Sequence, residues 1–272
     1  MASVLPVITI DDPADPRLAM FRRNERGLSN RPQRRDDAGD GFFMAEGDLV
    51  VERALDAGCI PVLAMVDAAR PPAVTARLEA LIAVYAGTEA LRAMATQLGV
   101  AYAVIAIFRR PARPGAAALA ATSARLVLVE AVDNPVNIGS IARNAAGLGW
   151  HGLVLDTSSG DPLARRALRA SMGHALLLPH ARTTDLLATV LALRRDGFTV
   201  VALTPADDAV DLGEVARSQR MAVLVGSERS GLTAGASEAA TLRARIPMAG
   251  GVDSLNVAAA TAVACYALRQ PT

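Results

Sequence analysis

Three short segments hold the residues best suited to chemistry. The first, Asn134-Pro-Val-Asn-Ile-Gly-Ser-Ile-Ala-Arg-Asn-Ala145, carries a side-chain amide at Asn137 and a guanidinium at Arg143. The second, Leu224-Val-Gly-Ser-Glu-Arg-Ser-Gly-Leu232, sets Glu228 between Gly226 and Gly231. The third, Ile246-Pro-Met-Ala-Gly-Gly-Val-Asp-Ser-Leu-Asn-Val257, brings Ser254 and Asn256 to the start of an alanine-rich helix. Glycines let a backbone turn sharply and approach a ligand closely, and a loop carboxylate between them is an acceptor-only group. Gly139, Ala142 and Ala146 form a small face that packs closely on a sheet. Arg143 is read in the first turns of its helix, where a cation is unfavourable unless an anion lies nearby. The backbone of Pro247 to Gly251 is suited to hydrogen-bonding a purine edge. Each segment alone also has a plain structural reading. Asn137 as a helix cap with Arg143 solvated, Glu228 facing solvent on an ordinary turn, and Ser254 as an N-cap all fit. Asn256 is harder to explain that way, because asparagine is an indifferent helix former.

The surrounding pattern tells what must position these residues. Leu126 to Val132 is a near-continuous apolar strand of the kind buried on both faces. Similar runs recur at 152–155, 175–178, 199–203, 221–225 and 242–246, with helical patterns between most of them, as at 184–195 and 255–269. Strands alternating with helices argue for an α/β fold with a parallel sheet, in which ligands sit at the carboxyl ends of the strands. All three segments begin at or just beyond such an end. Upstream, a smaller unit alternates the strand-like Phe42–Ala45, 60–66 and 104–108 with helical stretches at 48–57 and between 74 and 98. The chain is read as a first unit with an N-terminal extension over 1–110, a Pro/Gly/Ala-rich linker over 111–124, and a second unit over 125–272.

Composition removes several function classes. Hydrophobic residues make up 52% and charged residues 20% of the 272, enough for a sizeable core and too apolar for global disorder. There is no apolar run of membrane-spanning length, and Met1 to Ile10 lacks the features of a signal peptide, so a soluble cytoplasmic protein is expected. All 28 basic residues are arginine, which excludes a phosphate-loop lysine, a Schiff-base lysine and a lysine general base. Cys59 and Cys265 have no partner pattern and read as buried thiols. His151, His174 and His180 lack ligand spacing, so no metal site is expected. No dinucleotide fingerprint opens a helix after the first strand, and no hydrolase elbow is present. Seven arginines between Arg17 and Arg35 (Arg17, Arg22, Arg23, Arg26, Arg31, Arg34, Arg35) form a footprint that phosphates or plain solvent could satisfy.

Together, in this order and spacing, the three segments resemble the signature motifs of the SpoU (TrmH-like) branch of the SPOUT RNA methyltransferases, over Leu126 to Leu268. The resemblance implies a SPOUT domain with a deep trefoil knot that binds S-adenosylmethionine and works as a homodimer. Its reaction would be methylation of a ribose 2′-hydroxyl in structured RNA, ribosomal RNA being favoured over transfer RNA. By the same resemblance Asn137, Arg143, Glu228, Ser254 and Asn256 are the catalytic set. Leu203, Thr204, Gly226, Ser227, Glu228, Ile246, Met248, Leu255 and Asn256 line the cofactor pocket. Phe42 to Gly47 with Val50, Val51 and Ala54 resembles the opening of the ribosomal-protein-like RNA-binding domain that often precedes SpoU domains. Arg22, Arg23 and Arg26, with Arg165, Arg166 and Arg169 of a further family-like segment, are the RNA-contact candidates. The chain departs from the family pattern at Ala258 and Ala164, where a serine and a larger residue are usual. The competing reading is a non-catalytic RNA-binding or ribosome-associated protein on a degenerate methyltransferase scaffold. Aromatic residues at 3% argue against extensive base stacking.

Overall fold

A computed structural model describes residues 7–29, 41–96 and 102–270. Arg31, Arg34 and Arg35 of the N-terminal arginine run lie outside the described residues. The chain divides into two compact units, Met1–Ala112 with Leu163–Leu177, and Arg113–Pro162 with Leu178–Thr272.

The first unit is built on a five-stranded mixed sheet. Its strands are β1 (Val7–Thr9), β2 (Phe42–Glu46), β3 (Pro61–Asp67), β4 (Val84–Gly87) and β5 (Val104–Arg109), in the order β1-β4-β3-β5-β2. β3 and β5 are buried along most of their length because they are central and covered on both faces. Met44, Met65, Ile105 and Ile107 pack with Leu18, Phe21 and Leu28 from the N-terminal segment. Arg92, only 2% exposed, is tolerated there because its guanidinium donates to Tyr102 O, Gly87 O and the Asp67 carboxylate.

The second unit contains a seven-stranded sheet with every pairing parallel. Its strands are β6 (Arg125–Glu130), β7 (Gly152–Asp156), β8 (His180–Thr183), β9 (Thr199–Leu203), β10 (Val210–Asp211), β11 (Met221–Gly226) and β12 (Leu242–Arg245). They lie in the order β10-β12-β9-β11-β6-β7-β8. Leu126, Leu128, Val154, Val200, Ala222 and Leu224 form a core covered by the helices Leu186–Arg195 and Ala234–Ala239. Arg125 ties the chain end to this sheet, its guanidinium donating to Leu268 O at 3.1 Å, Gln219 O at 2.7 Å and Ser218 O at 2.9 Å.

Three readings are corrected. The apolar run at 175–178 is not a strand: His174–Leu177 is a helix, and residues 163–177 pack with the first unit. A short apolar run suits either state, and here Gly173, at φ +85°, starts a turn of helix. The stretch 111–124 is not a bare linker, since Ala116–Ala121 is helical and buries Leu119 and Ala120 in the second core. The last helix begins at Val257 and the helix before β9 at Leu186, slightly inside the sequence bounds. Among the described residues no helix is long and apolar enough to cross a membrane.

Candidate active site

The carboxyl ends of β12, β9, β11 and β6 lie side by side in the second unit. From β6 the chain enters helix Pro135–Gly147, capped by Asn134, whose side chain accepts from Val136 N at 3.0 Å. Proline at the first helical position pre-sets the required φ. Asn137 is therefore not the cap; it lies in the first turn, buried, with its amide free to bond elsewhere. It donates to Glu228 Oε1 at 3.0 Å. Asn256 Nδ2 donates to the same Oε1 and, at 3.2 Å, to Asn137 Oδ1. Glu228 thus gathers two amides that stand 119 residues apart in the chain.

Asn256 itself is the N-cap of the last helix, its Oδ1 accepting from Ala258 N at 3.0 Å and Ala259 N at 3.4 Å. This explains an asparagine where none is favoured in a helix interior: the helix amides fix Oδ1 and so turn Nδ2 towards Glu228. Ser254, the other cap candidate, is exposed on the loop before it. The two helices cross closely, with Asn144 Nδ2 donating to Ala258 O at 3.0 Å, and Ala258 is buried at the crossing.

Arg143 is not in the first turn. It falls in the third turn of helix Pro135–Gly147, roughly 12 Å along the axis from its first residue. There it is exposed, outside the hydrogen bonds joining Asn137, Glu228 and Asn256. The structure brings those three together and leaves Arg143 and Ser254 on the surface of the same unit.

The entry to this helix is held by a second polar cluster that the motifs did not flag. Asp156, at the end of β7, accepts from both the hydroxyl and the amide of Ser159, the Ser158 hydroxyl and the Ala131 amide. Arg182 braces the same corner through Asp156 O, Ser159 O and Gly160 O. Ala131 is held at φ +53°, a left-handed conformation that a residue with a Cβ rarely adopts. Burial pushes the Asp156 carboxyl up, and the hydrogen bonds from Ser158, Ser159 and Ala131 outweigh it, leaving the group below its usual range. A carboxyl depressed in the folded state stabilises fully above its unfolded value, about pH 4, and loses that contribution as pH falls through the folded value. Thermal melting should therefore fall steeply below about pH 4, and Asp156→Asn should flatten that dependence. Equal acid profiles for the two proteins would show that Asp156 bears none of it.

Several of the proposed cofactor residues stand at strand ends. Leu203 ends β9 opposite Ala244 of β12, and Ile246 follows β12 directly. Leu203, Thr204, Ile246 and Leu255 are half-buried, whereas Met248 is 37% exposed on the loop Pro247–Ser254. Gly226 ends β11, and Ser227 pairs with Gly231 across a tight loop closed by Gly231 N to Ser227 O at 2.8 Å.

In the first unit the arginine candidates separate by what they touch. Asn24, Glu25, Arg26, Arg165, Arg166 and Arg169 line an open groove of about 510 Å³. Glu46 is buried at the end of β2, and Arg165 meets it at 2.5 Å with Arg169 at 3.8 Å. Glu25 Oε1 accepts from Arg165 N at 2.8 Å, supplying the cap that Ala164 cannot give to helix Arg165–Ala170. Arg22 is engaged by Pro13 O and Asp15 O. Arg165 and Arg22 are therefore structural in the first instance. Arg23, Arg26 and Arg166 are exposed, and Arg26 and Arg166 leave their charge at the groove.

Comparison with known proteins places the chain in a family. The SpoU rRNA Methylase family matches residues 124–266, just over half of the chain. An uncharacterised tRNA/rRNA methyltransferase of Mycobacterium bovis is 40% identical, over 96% of this chain and 91% of its own length. A 23S rRNA guanosine 2′-O-methyltransferase of Bacillus subtilis is 29% identical, over 84% of this chain and 88% of its own. An rRNA methyltransferase from Sinorhizobium meliloti, solved with S-adenosylmethionine bound, superposes with a TM-score of 0.78. It is 26% identical, and the match covers 96% of this chain and 97% of that one. Its α/β fold with a parallel sheet is that of the SPOUT methyltransferases. The chain belongs to the SpoU rRNA Methylase family and is an RNA methyltransferase that uses S-adenosylmethionine.

Proposed function

We propose that this enzyme methylates a ribose 2′-hydroxyl of structured RNA, with ribosomal RNA the favoured substrate over transfer RNA. The observation that carries the reading is the meeting of Asn137, Asn256 and Glu228 beside the carboxyl ends of adjacent parallel strands. The 2′-O-specific B. subtilis relative supports the ribose as target. Half-buried Leu203, Ile246 and Leu255 offer apolar faces, and the exposed Pro247–Ser254 backbone offers donors and acceptors, a set that fits an adenosyl group. Ser227 and Thr204 border the same strand ends. S-adenosylmethionine, when bound there, supplies an electrophilic methyl group.

The chain's own residues have a narrower task. A ribose hydroxyl is a poor nucleophile at neutral pH and must lose its proton as it reacts. The guanidinium of Arg143 offers hydrogen-bond donors only. Its role is to orient the ribose and stabilise the developing alkoxide, the proton leaving to an RNA phosphate or water. Asn137, Asn256 and Glu228 hold one another rigid, which keeps the site's dipoles oriented before the reaction. Ser254, on the exposed loop, is suited to meeting the ribose.

The finer architecture belongs to the same reading. The sheet order inserts β11 and β12 among earlier strands, and Arg125 pins the end of the last helix beside β6; both suit a chain threaded into a trefoil knot. Val263, 41% exposed, and Tyr266, 59% exposed, give that helix an apolar outer stripe suited to a second copy in a homodimer. The first unit acts as a ribosomal-protein-like RNA-binding domain, and the enzyme works in the cytoplasm.

Two experiments test this. Ribosomal and transfer RNA incubated with the enzyme and methyl-labelled cofactor, then digested to nucleosides, should yield a 2′-O-methylated nucleoside; a base-methylated product alone overturns the ribose assignment. Arg26→Ala and Arg166→Ala should each lower the salt dependence of RNA affinity by about one in log–log slope. Arg165→Ala should instead destabilise the first unit by about 3 kcal/mol, by leaving buried Glu46 with only the more distant Arg169. Unchanged salt slopes in both groove variants would remove the groove from the RNA path.

A further inference from the structure

Glu130 is a buried carboxylate that ends β6 after the apolar run Leu126 to Val129, and neither the methyl-transfer mechanism nor the sequence motifs use it. A carboxylate that is 8% exposed needs compensation, and both of its oxygens go to one residue. Thr233 donates its backbone N–H to Oε2 at 2.9 Å and its hydroxyl to Oε1 at 2.8 Å. The Thr233 hydroxyl oxygen also accepts from Ala236 N at 3.3 Å, capping helix Ala234–Ala239. The negative charge therefore sits at the favourable end of that helix.

The consequence lies in what is strung between the two anchors. Glu130 stands opposite Gly226 in the β6–β11 pairing. Gly226 is fixed by the sheet, and Thr233 is fixed by Glu130. The loop from Ser227 to Leu232 runs between them, closed on itself by the Ser227–Gly231 bridge. Glu228 is the second residue of that loop. Its Oε1 must sit within bonding reach of Asn137 and Asn256 together, a demand that a loop anchored at one end only would meet poorly.

We infer that Glu130, through Thr233, is a positioning residue that holds the Glu228 loop in its reactive geometry. Glu130 touches neither Asn137 nor Asn256 through any of these bonds and acts on the reaction only through Glu228. The inference rests on the reading of Glu228 as part of the methyl-transfer site.

The test uses the full chain with Glu130→Ala, Thr233→Val, Thr233→Ser and Glu228→Ala, and the double variant Glu130→Ala/Glu228→Ala. Glu130→Ala and Thr233→Val should each lower kcat about tenfold with KM for RNA little changed, and Thr233→Ser should recover most of the loss. The double variant should be no slower than Glu228→Ala alone, because both act through one carboxylate. Amide exchange at Gly231, whose N–H closes the loop, should quicken about tenfold in Glu130→Ala and Thr233→Val. Wild-type turnover and wild-type exchange in Thr233→Val, or strictly multiplicative losses in the double variant, overturn the inference. If Glu228→Ala keeps full turnover while exchange still quickens in the anchor variants, the anchor is real and the catalytic reading of Glu228 is what fails.

Discussion

Replacing Arg143 with alanine is expected to slow methyl transfer by about a hundredfold to a thousandfold, the usual cost of losing one donor to a developing oxyanion. Affinity for S-adenosylhomocysteine should stay at the wild-type level. The separation follows from where the side chain stands. Asn137 and Arg143 lie six positions apart on one helix, so their side chains leave it roughly 120° apart around the axis. Asn137 is buried and bonded to Glu228, whereas Arg143 is exposed. Truncating Arg143 therefore leaves the Asn137–Glu228–Asn256 cluster and the strand-end residues Leu203, Ile246 and Leu255 undisturbed. Arg143→Lys should fall between the two, because an ammonium keeps the charge but loses the planar fork that grips a ribose-phosphate segment at two points. Single-turnover rates with saturating RNA, beside calorimetric titration with S-adenosylhomocysteine, measure the two effects independently. Near wild-type turnover in the alanine variant would make Arg143 an ordinary solvated arginine and leave alkoxide stabilisation to another group.

The inner strands of the second unit's sheet could be read directly because they are buried on both faces, whereas the edge strands β8 and β10 carry no such apolar run and were missed. Runs such as Leu126 to Val129 or Val200 to Ala202 have no polar interruption to confuse. What escaped was set by tertiary contacts or by single-residue offsets. Arg143 was put too near the helix start because the cap was sought at Asn137; Asn134 followed by Pro135 was the stronger start signal, and it moves every later residue by most of a turn. The 175–178 run misled because four apolar residues carry no period. Glu46 and Arg165, far apart in sequence, become partners only once the segment 163–177 packs with the first unit, and no local pattern announces such a pair. Thr233 was visible as a cap before an alanine-rich stretch, and Glu130 as a charge directly after the apolar run Leu126 to Val129. Neither signal says that one binds the other.

The most damaging small substitution should be Gly226→Ala. A Cβ built on Gly226 would lie 2.4 Å from both the carbonyl carbon and the oxygen of Gly231, and 2.6 Å from Leu232 N. All three are backbone atoms, so no side chain can rotate away, and either the end of β11 or the loop beyond it must move. Overpacking of this kind costs about 1–3 kcal/mol in stability. The larger effect is on the site: a displaced loop carries Glu228 away from Asn137 and Asn256 and spoils the strand end that the cofactor is read to occupy. Affinity for S-adenosylhomocysteine should drop at least about a hundredfold, equivalent to roughly 2.7 kcal/mol. Gly231→Ala is the matched comparison. Gly231 has φ +66° but nothing within 4 Å of an added Cβ, so alanine there incurs only the left-handed backbone penalty of about 1–2 kcal/mol. Calorimetric titration of both variants beside the wild type distinguishes crowding from lost backbone freedom. A Gly226→Ala protein that binds S-adenosylhomocysteine as the wild type does would take this loop out of the cofactor site, because no other feature of the alanine variant offsets so close an approach of backbone to backbone.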